Sequence, residues 1–180
     1  MFVRTPYHPA EVWQRFVLPD EGFEFGGAAP LWRARVVAPG ERALSLFHDL
    51  AAELGPAIGV RIDDTRGKRK GDAVHWRGDA LDRDRVRAGI ASIRGPLARY
   101  AGVEIALYDD EDQLTLRPWL DLGIHARTPR WYHLLRGLGL TRYAAIPHRS
   151  WRPDHAGFPP APVLDDLLRE LVRRLDPGTP

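Results

Sequence analysis

The sequence predicts an α+β fold in which an antiparallel sheet carries helices on one face. Between Val103 and Arg127 apolar residues alternate with polar ones, which is the two-residue period of strands that bury one face. Two earlier segments space their apolar residues three and four positions apart, as helices with one buried stripe do. Short apolar segments lie between these helices, so helices and strands are expected to pack as two layers around one core.

A hairpin over residues 103–127 is predicted to form the centre of the sheet. Its first strand has one apolar face, and the four acids at positions 109–112 suit a solvated turn. Beyond the turn the apolar residues fall on even positions as far as Ala126, which predicts one long second strand. Pro118 stands in the middle of that strand and predicts an edge position or a bulge, because proline donates no ladder hydrogen bond.

The elements before this hairpin follow one another as strand, helix, strand, strand and helix. Strands are predicted at Leu31–Val37, Ile58–Ile62 and Ala73–Trp76. Helices are predicted at Glu41–Leu54 and from a cap at Asp82 or Asp84 to about Arg99, and Gly95-Pro96 must kink or split the second one. This order is that of the ferredoxin-like split βαβ sandwich, extended here by the long C-terminal strand.

The whole chain, residues 1–180, is expected to form a single domain. Residues 1–30 are rich in proline and glycine and are predicted to be irregular, whereas residues 31–127 form the α+β core. Residues 128–180 are predicted to form a C-terminal helical extension. Its helices are expected at 128–138 and at Val163–Leu175, on either side of an irregular segment at 141–162.

The composition excludes several classes of protein and site. The 180 residues carry a net charge of +2, which by itself indicates no polyanionic partner. The absence of cysteine excludes disulfides, thiolate catalysis and Cys-ligated zinc or iron–sulfur centres. No apolar segment approaches the ~20 residues that span a bilayer, and the first residues lack the apolar stretch of a signal peptide. A cytoplasmic protein without membrane contact is expected.

The clearest functional indication is an excess of arginine in the C-terminal half. Between Gln113 and Pro153 seven arginines are accompanied by a single acid, Asp121, and tryptophans and tyrosines are interleaved with them. Such residues contribute most to protein interfaces, although a solvated polar face is the alternative interpretation. The predicted binding surface consists of Arg117, Trp119, Asp121, His125, Arg127, Arg130, Arg149, Trp151 and Arg152.

A second group of cations lies in the loop at residues 63–72 and consists of Lys68, Arg69 and Lys70. Flexible cations of this kind neutralise phosphates, so the loop is a candidate binding element. The alternative is a solvated hairpin loop that only keeps a sheet edge soluble.

No catalytic or metal-binding motif is recognised in the sequence. His148, Asp154 and His155 carry metal-ligating groups, but their spacing matches no known signature, so neither a metal nor a cofactor is expected. None of the serines stands in a nucleophile-elbow context. Asp121 and His125 lie four residues apart on the predicted strand, about 13 Å at strand rise, so they are not expected to form a hydrogen bond.

Three functions follow from these observations. The first is a non-catalytic binding protein whose open sheet face and basic aromatic region hold a protein partner or a second copy in a homodimer. The second is a nucleic-acid-binding protein in which arginines contact phosphates and tryptophans stack on bases. The third is a small acid–base enzyme centred on Asp121 and His125. Salt separates the first two, because phosphate contacts release counterions.

Overall fold

The computed structural model describes residues 21–66, 74–146, 158 and 161–176. These residues form a mixed α+β fold with one eight-stranded sheet and five helices. The strands are β1 (Gly22–Ala28), β2 (Leu31–Val37), β3 (Ala57–Asp64), β4 (His75–Asp82), β5 (Val103–Tyr108), β6 (Asp112–Leu116), β7 (Leu122–Ala126) and β8 (Arg142–Tyr143). The helices are α1 (Gly40–Ala51), α2 (Arg83–Ser92), α3 (Arg94–Tyr100), α4 (Arg130–Gly137) and α5 (Pro162–Leu175).

The strands are arranged in the order β4-β3-β5-β6-β7-β2-β1-β8, and only the β1–β8 pair is parallel. Leu114 pairs with Ile124 and Leu116 with Leu122, so the even residues of β6 and β7 share one face. These four side chains are at most 1 % exposed, which confirms the prediction that the even-numbered residues face the core. The helices pack on this side, and the opposite side, called the open face below, carries no helix among the described residues.

The long second strand predicted after the acidic turn is wrong, because a tight turn at residues 117–121 divides it into β6 and β7. The Arg117 N–H donates to the Asp121 carbonyl, and the Leu120 N–H donates to the Arg117 carbonyl. Three residues, 118–120, lie between the hydrogen-bonded residues Arg117 and Asp121. A loop of this length places the even-numbered residues of β6 and β7 on the same face, so the alternation continues through the turn. Pro118 lies in this loop between two central strands rather than at a sheet edge, and its missing N–H breaks no ladder bond.

The ferredoxin-like order of strands is not confirmed. In a split βαβ unit, one strand lies between two parallel strands that a helix connects. The strands β4 and β5 flank β3 and are connected through α2 and α3, so this part has the expected geometry. Helix α1, however, connects β2 to β3, and three strands separate these two. The sheet is also wider than predicted, since β1, β8 and the β6–β7 hairpin extend it.

Strand β1 lies inside the segment at 1–30 that was predicted to be irregular, so this prediction is wrong for residues 22–28. The glycine at its start serves packing rather than chain reversal. A Cβ on Gly22 would lie 2.2 Å from a ring carbon of Tyr143, whose phenol lies over this position from β8. Residues 1–20 lie outside the described part of the chain.

The predicted helices occur with small shifts of their ends. The break expected at Gly95-Pro96 is confirmed, because Ile93 separates α2 from α3. The strand predicted at 73–76 begins at His75 and continues to Asp82, and residue 73 is not described. Within the described ranges, no helix combines the length and the apolar composition needed to cross a membrane.

Candidate functional site

The cross-strand register places several predicted site residues in neighbouring rows on the open face. Gln113, His125 and Arg33 are consecutive partners across β6, β7 and β2. The next row consists of Thr115, Gly123 and Arg35 on the same three strands. Odd-numbered residues of β6, β7 and β2 therefore lie on the same face, and β2 contributes Arg33 and Arg35 to it. We call the basic part of this region the basic corner; it consists of the exposed Arg33, His125 and Arg127 and the half-buried Arg117.

Asp121 is held between two arginines at the edge of this surface. Its Oδ2 accepts a hydrogen bond from Arg35 Nε at 3.0 Å and another from Arg117 Nη1 at 3.1 Å. The side chains of Arg35 and Asp121 are only 10 % and 7 % exposed, so this pair is shielded from solvent. A carboxylate with two guanidinium partners is suited to positioning them. Asp121 therefore anchors the surface.

Gly123 allows Arg117 to lie flat across β7. A Cβ at Gly123 would be 2.9 Å from Arg117 Nη2 and 3.1 Å from Nε, closer than unstrained contacts permit. The guanidinium thus lies directly above the backbone of the central strand and reaches Asp121 from there. A side chain at this position would move Arg117 off the sheet.

His125 lies beside Arg33 on β2 and Gln113 on β6. Burial lowers the pKa of its imidazole below the ordinary value, and the positive charges of Arg33 and Arg117 lower it further. The described hydrogen bonds of Asp121 go to arginines, and none joins Asp121 to His125. The two residues predicted for the acid–base enzyme therefore do not form a pair.

Arg33 and Arg127 are exposed, and within the described ranges neither forms an ion pair. The other half of the open face differs, because its arginines are matched with acids on the same strand or on neighbouring ones. Arg61 pairs with Asp63 and Glu104, and Arg77 pairs with Asp79. The unmatched positive charge on this face is thus concentrated around β7 and β2.

Trp119, the aromatic residue of the predicted surface that the structure describes, does not lie at the basic corner. Trp119 lies in the turn after β6, is partly buried and packs on Phe158, with ring centroids 4.4 Å apart. Tyr108, which is in the same row as Gln113 and His125, has its ring over Gly59, and the guanidinium of Arg77 lies 5.7 Å from its centroid. Both rings therefore pack against other residues of the fold.

Arg130 was also predicted to belong to the surface, but it does not join the basic corner. Its Nε and Nη2 both donate to Oδ2 of Asp112, whose side chain is 1 % exposed. Arg130 Nη2 also donates to the carbonyl of Glu53, just beyond α1. The even-numbered Asp112 faces the helices, so Arg130 joins α4 to β6 and α1 on the side opposite the open face.

The remaining predicted residues lie outside the described part of the chain: Lys68, Arg69, Lys70, Arg149, Trp151 and Arg152. The same holds for His148, Asp154 and His155, which were considered as metal ligands. Among the described residues, no group of three or more His, Asp or Glu side chains could hold a metal ion.

Arg33 and Arg35 were missed as site residues. Their signal was present, since Arg33 and Arg35 alternate with apolar residues in β2 and must share one face. That alternation could not indicate that β7 would be the neighbour of β2, because the pairing joins residues about ninety positions apart in the sequence. No protein-family model matches the chain, and no curated protein and no solved structure is significantly similar to it.

Proposed function

We propose that the protein is a non-catalytic binding protein that holds an acidic protein partner at the basic corner. The observation that carries this proposal is the pair of exposed arginines, Arg33 and Arg127, that have no acidic partner among the described residues. They share the open face with Arg117 and His125, and Asp121, an acid on that face, is already bound by Arg35 and Arg117.

Charge balance supports an acidic partner. Like charges on neighbouring strands repel one another and lower the stability of the free surface, most strongly at low salt. Burial lowers the pKa of His125 most, and the positive charges of Arg33 and Arg117 lower it further, which agrees with this repulsion. Carboxylates that approach the corner would remove the repulsion and offer each guanidinium a bidentate partner.

Aromatic packing favours a protein over a nucleic acid. Proteins that bind single strands on a sheet combine cations with aromatic rings on which bases stack. Here Tyr108 is packed between Gly59 and Arg77, and Trp119 is packed on Phe158. The basic corner therefore offers guanidinium groups and an imidazole, which suit the side-chain carboxylates of a protein.

Binding of a fluorescent poly-glutamate peptide, measured by anisotropy, tests the proposal. The Arg33→Glu/Arg127→Glu variant should bind about tenfold more weakly than the wild type, since each exposed charge contact contributes up to about 1 kcal/mol. The matched control is Arg99→Glu/Arg136→Glu, which makes the same charge change at exposed positions on the helix side. The control should bind as the wild type does.

Two results would contradict the proposal. An equal loss of poly-glutamate affinity in both double variants would show that binding depends only on the net charge of the protein. An oligothymidylate that binds more tightly than poly-glutamate, with the steep salt dependence of phosphate contacts, would favour the nucleic-acid-binding function instead.

A further inference from the structure

Strand β4 forms one edge of the sheet, and its outer side is open. The Asp64 N–H donates to the Val74 carbonyl at 2.9 Å, which marks these two residues as a hydrogen-bonded pair. Such pairs alternate with non-bonded pairs along an antiparallel ladder, so the even-numbered residues of β4 up to Gly78 bond to β3. The backbone groups of three exposed residues therefore point away from the sheet: His75, Arg77 and Asp79. None of the described backbone hydrogen bonds between separate elements uses these groups.

Two opposite charges stand on this edge. Arg77 and Asp79 are two residues apart in the strand, so both side chains lie on the open face. Within one chain they form an ion pair of 3.3 Å through Oδ1 of Asp79, the oxygen to which the Tyr108 hydroxyl also donates. In the described part of the chain, Oδ2 of Asp79 and Nη1 of Arg77 form no hydrogen bond. Each residue thus retains a hydrogen-bonding group for a partner of opposite charge.

We propose that β4 pairs antiparallel with β4 of a second copy, about a two-fold axis that passes beside Gly78 perpendicular to the sheet. In this register Arg77 lies opposite Asp79 of the second copy, and Asp79 lies opposite its Arg77. Because both residues direct their backbone groups outward, the contact adds about four backbone hydrogen bonds as well as two ion pairs. Each contact occurs twice, as in any isologous interface.

The charges select this register from its neighbours. An axis beside Arg77 would place the two copies of Arg77 opposite each other, and an axis beside Asp79 would do the same with two carboxylates. Like charges directly opposite each other destabilise a strand pair, whereas opposite charges stabilise it. The axis beside Gly78 is the register between these two, and it matches every charge with its opposite.

The helix side of the same edge carries an aromatic ring at the proposed axis. A Cβ on Gly78 would lie 2.6 Å from Cη2 of Trp76, so the indole extends over the backbone of Gly78. Trp76 is only half-buried in the single chain. Since Gly78 faces its own copy across the axis, the two indoles lie side by side there. Tryptophan at the centre of a contact is typical of residues that contribute most to binding.

A bulge limits the length of the contact. Asp79 and Ala80 together oppose Gly59 of β3, and Ala80 has a left-handed φ of 55°. Edge strands commonly avoid pairing through bulges and like charges. In β4 the charges have opposite signs, and the bulge follows the residues that pair. It therefore confines the pairing to residues 77–79 and excludes longer registers.

Sedimentation equilibrium of the full chain at low salt tests the proposal. The wild type should dimerise at several hundred micromolar. Arg77→Asp and Asp79→Arg each place like charges opposite one another on both sides of the axis, so each should raise the dimer dissociation constant about tenfold or more. The double variant Arg77→Asp/Asp79→Arg restores opposite charges at both contacts and should dimerise as the wild type does. An equimolar mixture of the two single variants should form heterodimer for the same reason.

Arg136→Asp is the matched control, because it makes the same charge change as Arg77→Asp at an exposed position on the helix side. It should dimerise as the wild type does. A wild-type chain that stays monomeric at several hundred micromolar would overturn the proposal. A dimer that survives both single reversals, or one that the double reversal fails to restore, would also overturn it, since the contact would then lie elsewhere. The basic corner is not part of this contact, so poly-glutamate binding by Arg33→Glu/Arg127→Glu tests the proposed function separately.

Discussion

The arginines of the open face differ in what lies within reach of each guanidinium. Arg35 and Arg117 are bound to the same oxygen of Asp121, so their charges are partly neutralised inside the fold. Arg33 and Arg127 lie one row or more further along β2 and β7, and neither forms an ion pair among the described residues. A single carboxylate thus divides four arginines into an anchoring pair and a pair that is open to a partner.

His125 should make folding stability depend on pH. Its pKa in the folded protein is lowered by burial and by Arg33 and Arg117, whereas the unfolded chain has a value of about 6.5. The unfolded state therefore takes up a proton first as pH falls, and stability decreases from about pH 6.5 down through the lower pKa of the folded state. His125→Gln should lose less stability than the wild type between about pH 7 and about pH 5. Urea denaturation across this range measures the difference, and parallel pH profiles would contradict the assignment.

Leu120 adopts a backbone conformation that normally favours glycine, with φ of 64°. The left-handed conformation costs a non-glycine residue about 1 kcal/mol. Its side chain is 2 % exposed and lies 3.1 Å from the position that a Cβ on Gly40 would occupy. Truncation of a buried leucine costs about 2–5 kcal/mol, so burial outweighs the strain.

Leu120→Gly should therefore destabilise the fold by about 2 kcal/mol even though it relieves the strain. Leu120→Ala keeps the strain and retains only Cβ of the buried side chain, so it should be less stable than Leu120→Gly. Chemical denaturation of the two variants compares the stability lost with the leucine side chain with the stability gained by relieving the backbone strain. A glycine variant more stable than the wild type would show that strain is the larger effect.

At the scale of elements, a buried arginine connects the end of β3 to the start of α5. Arg66 was predicted to lie in an exposed loop, but its side chain is 2 % exposed. It donates to both carboxylate oxygens of Asp64 and to Asp165 in the first turn of α5. Because Asp64 is fully buried, the guanidinium of Arg66 stabilises its charge.

Arg66→Met should destabilise the protein by about 3–5 kcal/mol, since it leaves a buried carboxylate without its guanidinium. The double variant Asp64→Leu/Arg66→Met removes both charges and should recover part of this loss. Thermal and chemical denaturation of both variants measure the coupling. Equal stabilities of the single and double variants would show that Asp64 does not depend on Arg66.

The elements themselves could be predicted from the sequence more fully than their arrangement. Alternation in residues 103–126 correctly indicated the buried face, and Gly95-Pro96 correctly indicated the break between α2 and α3. The turn at 117–121 could not be recognised from the alternation of apolar and polar residues, because its three-residue loop leaves that alternation unchanged. Strand β1 was missed because Gly22, which serves close packing, cannot be distinguished in the sequence from a glycine that reverses the chain.

At the scale of the whole molecule, the open face has two halves of different charge. Around β3, β4 and β5, arginines and acids are matched, whereas around β7 and β2 cations remain exposed. The sequence predicted His125, Arg117 and Arg127 on one face, and the structure places them there. It could not predict that β2 would add Arg33 and Arg35, because strand order depends on contacts between distant parts of the chain.

The position of the binding surface is tested most directly by titrating poly-glutamate into isotope-labelled protein and following the backbone amide signals by NMR. We expect the shifted amides to cluster on β2 and β7, around Arg33, His125 and Arg127, and those of α5 and β4 to remain unchanged. The Arg33→Glu/Arg127→Glu variant should abolish this cluster, whereas Arg99→Glu/Arg136→Glu should retain it. Shifts confined to the loop that contains Lys68, Arg69 and Lys70, or spread evenly over the helices, would contradict a binding surface at the basic corner.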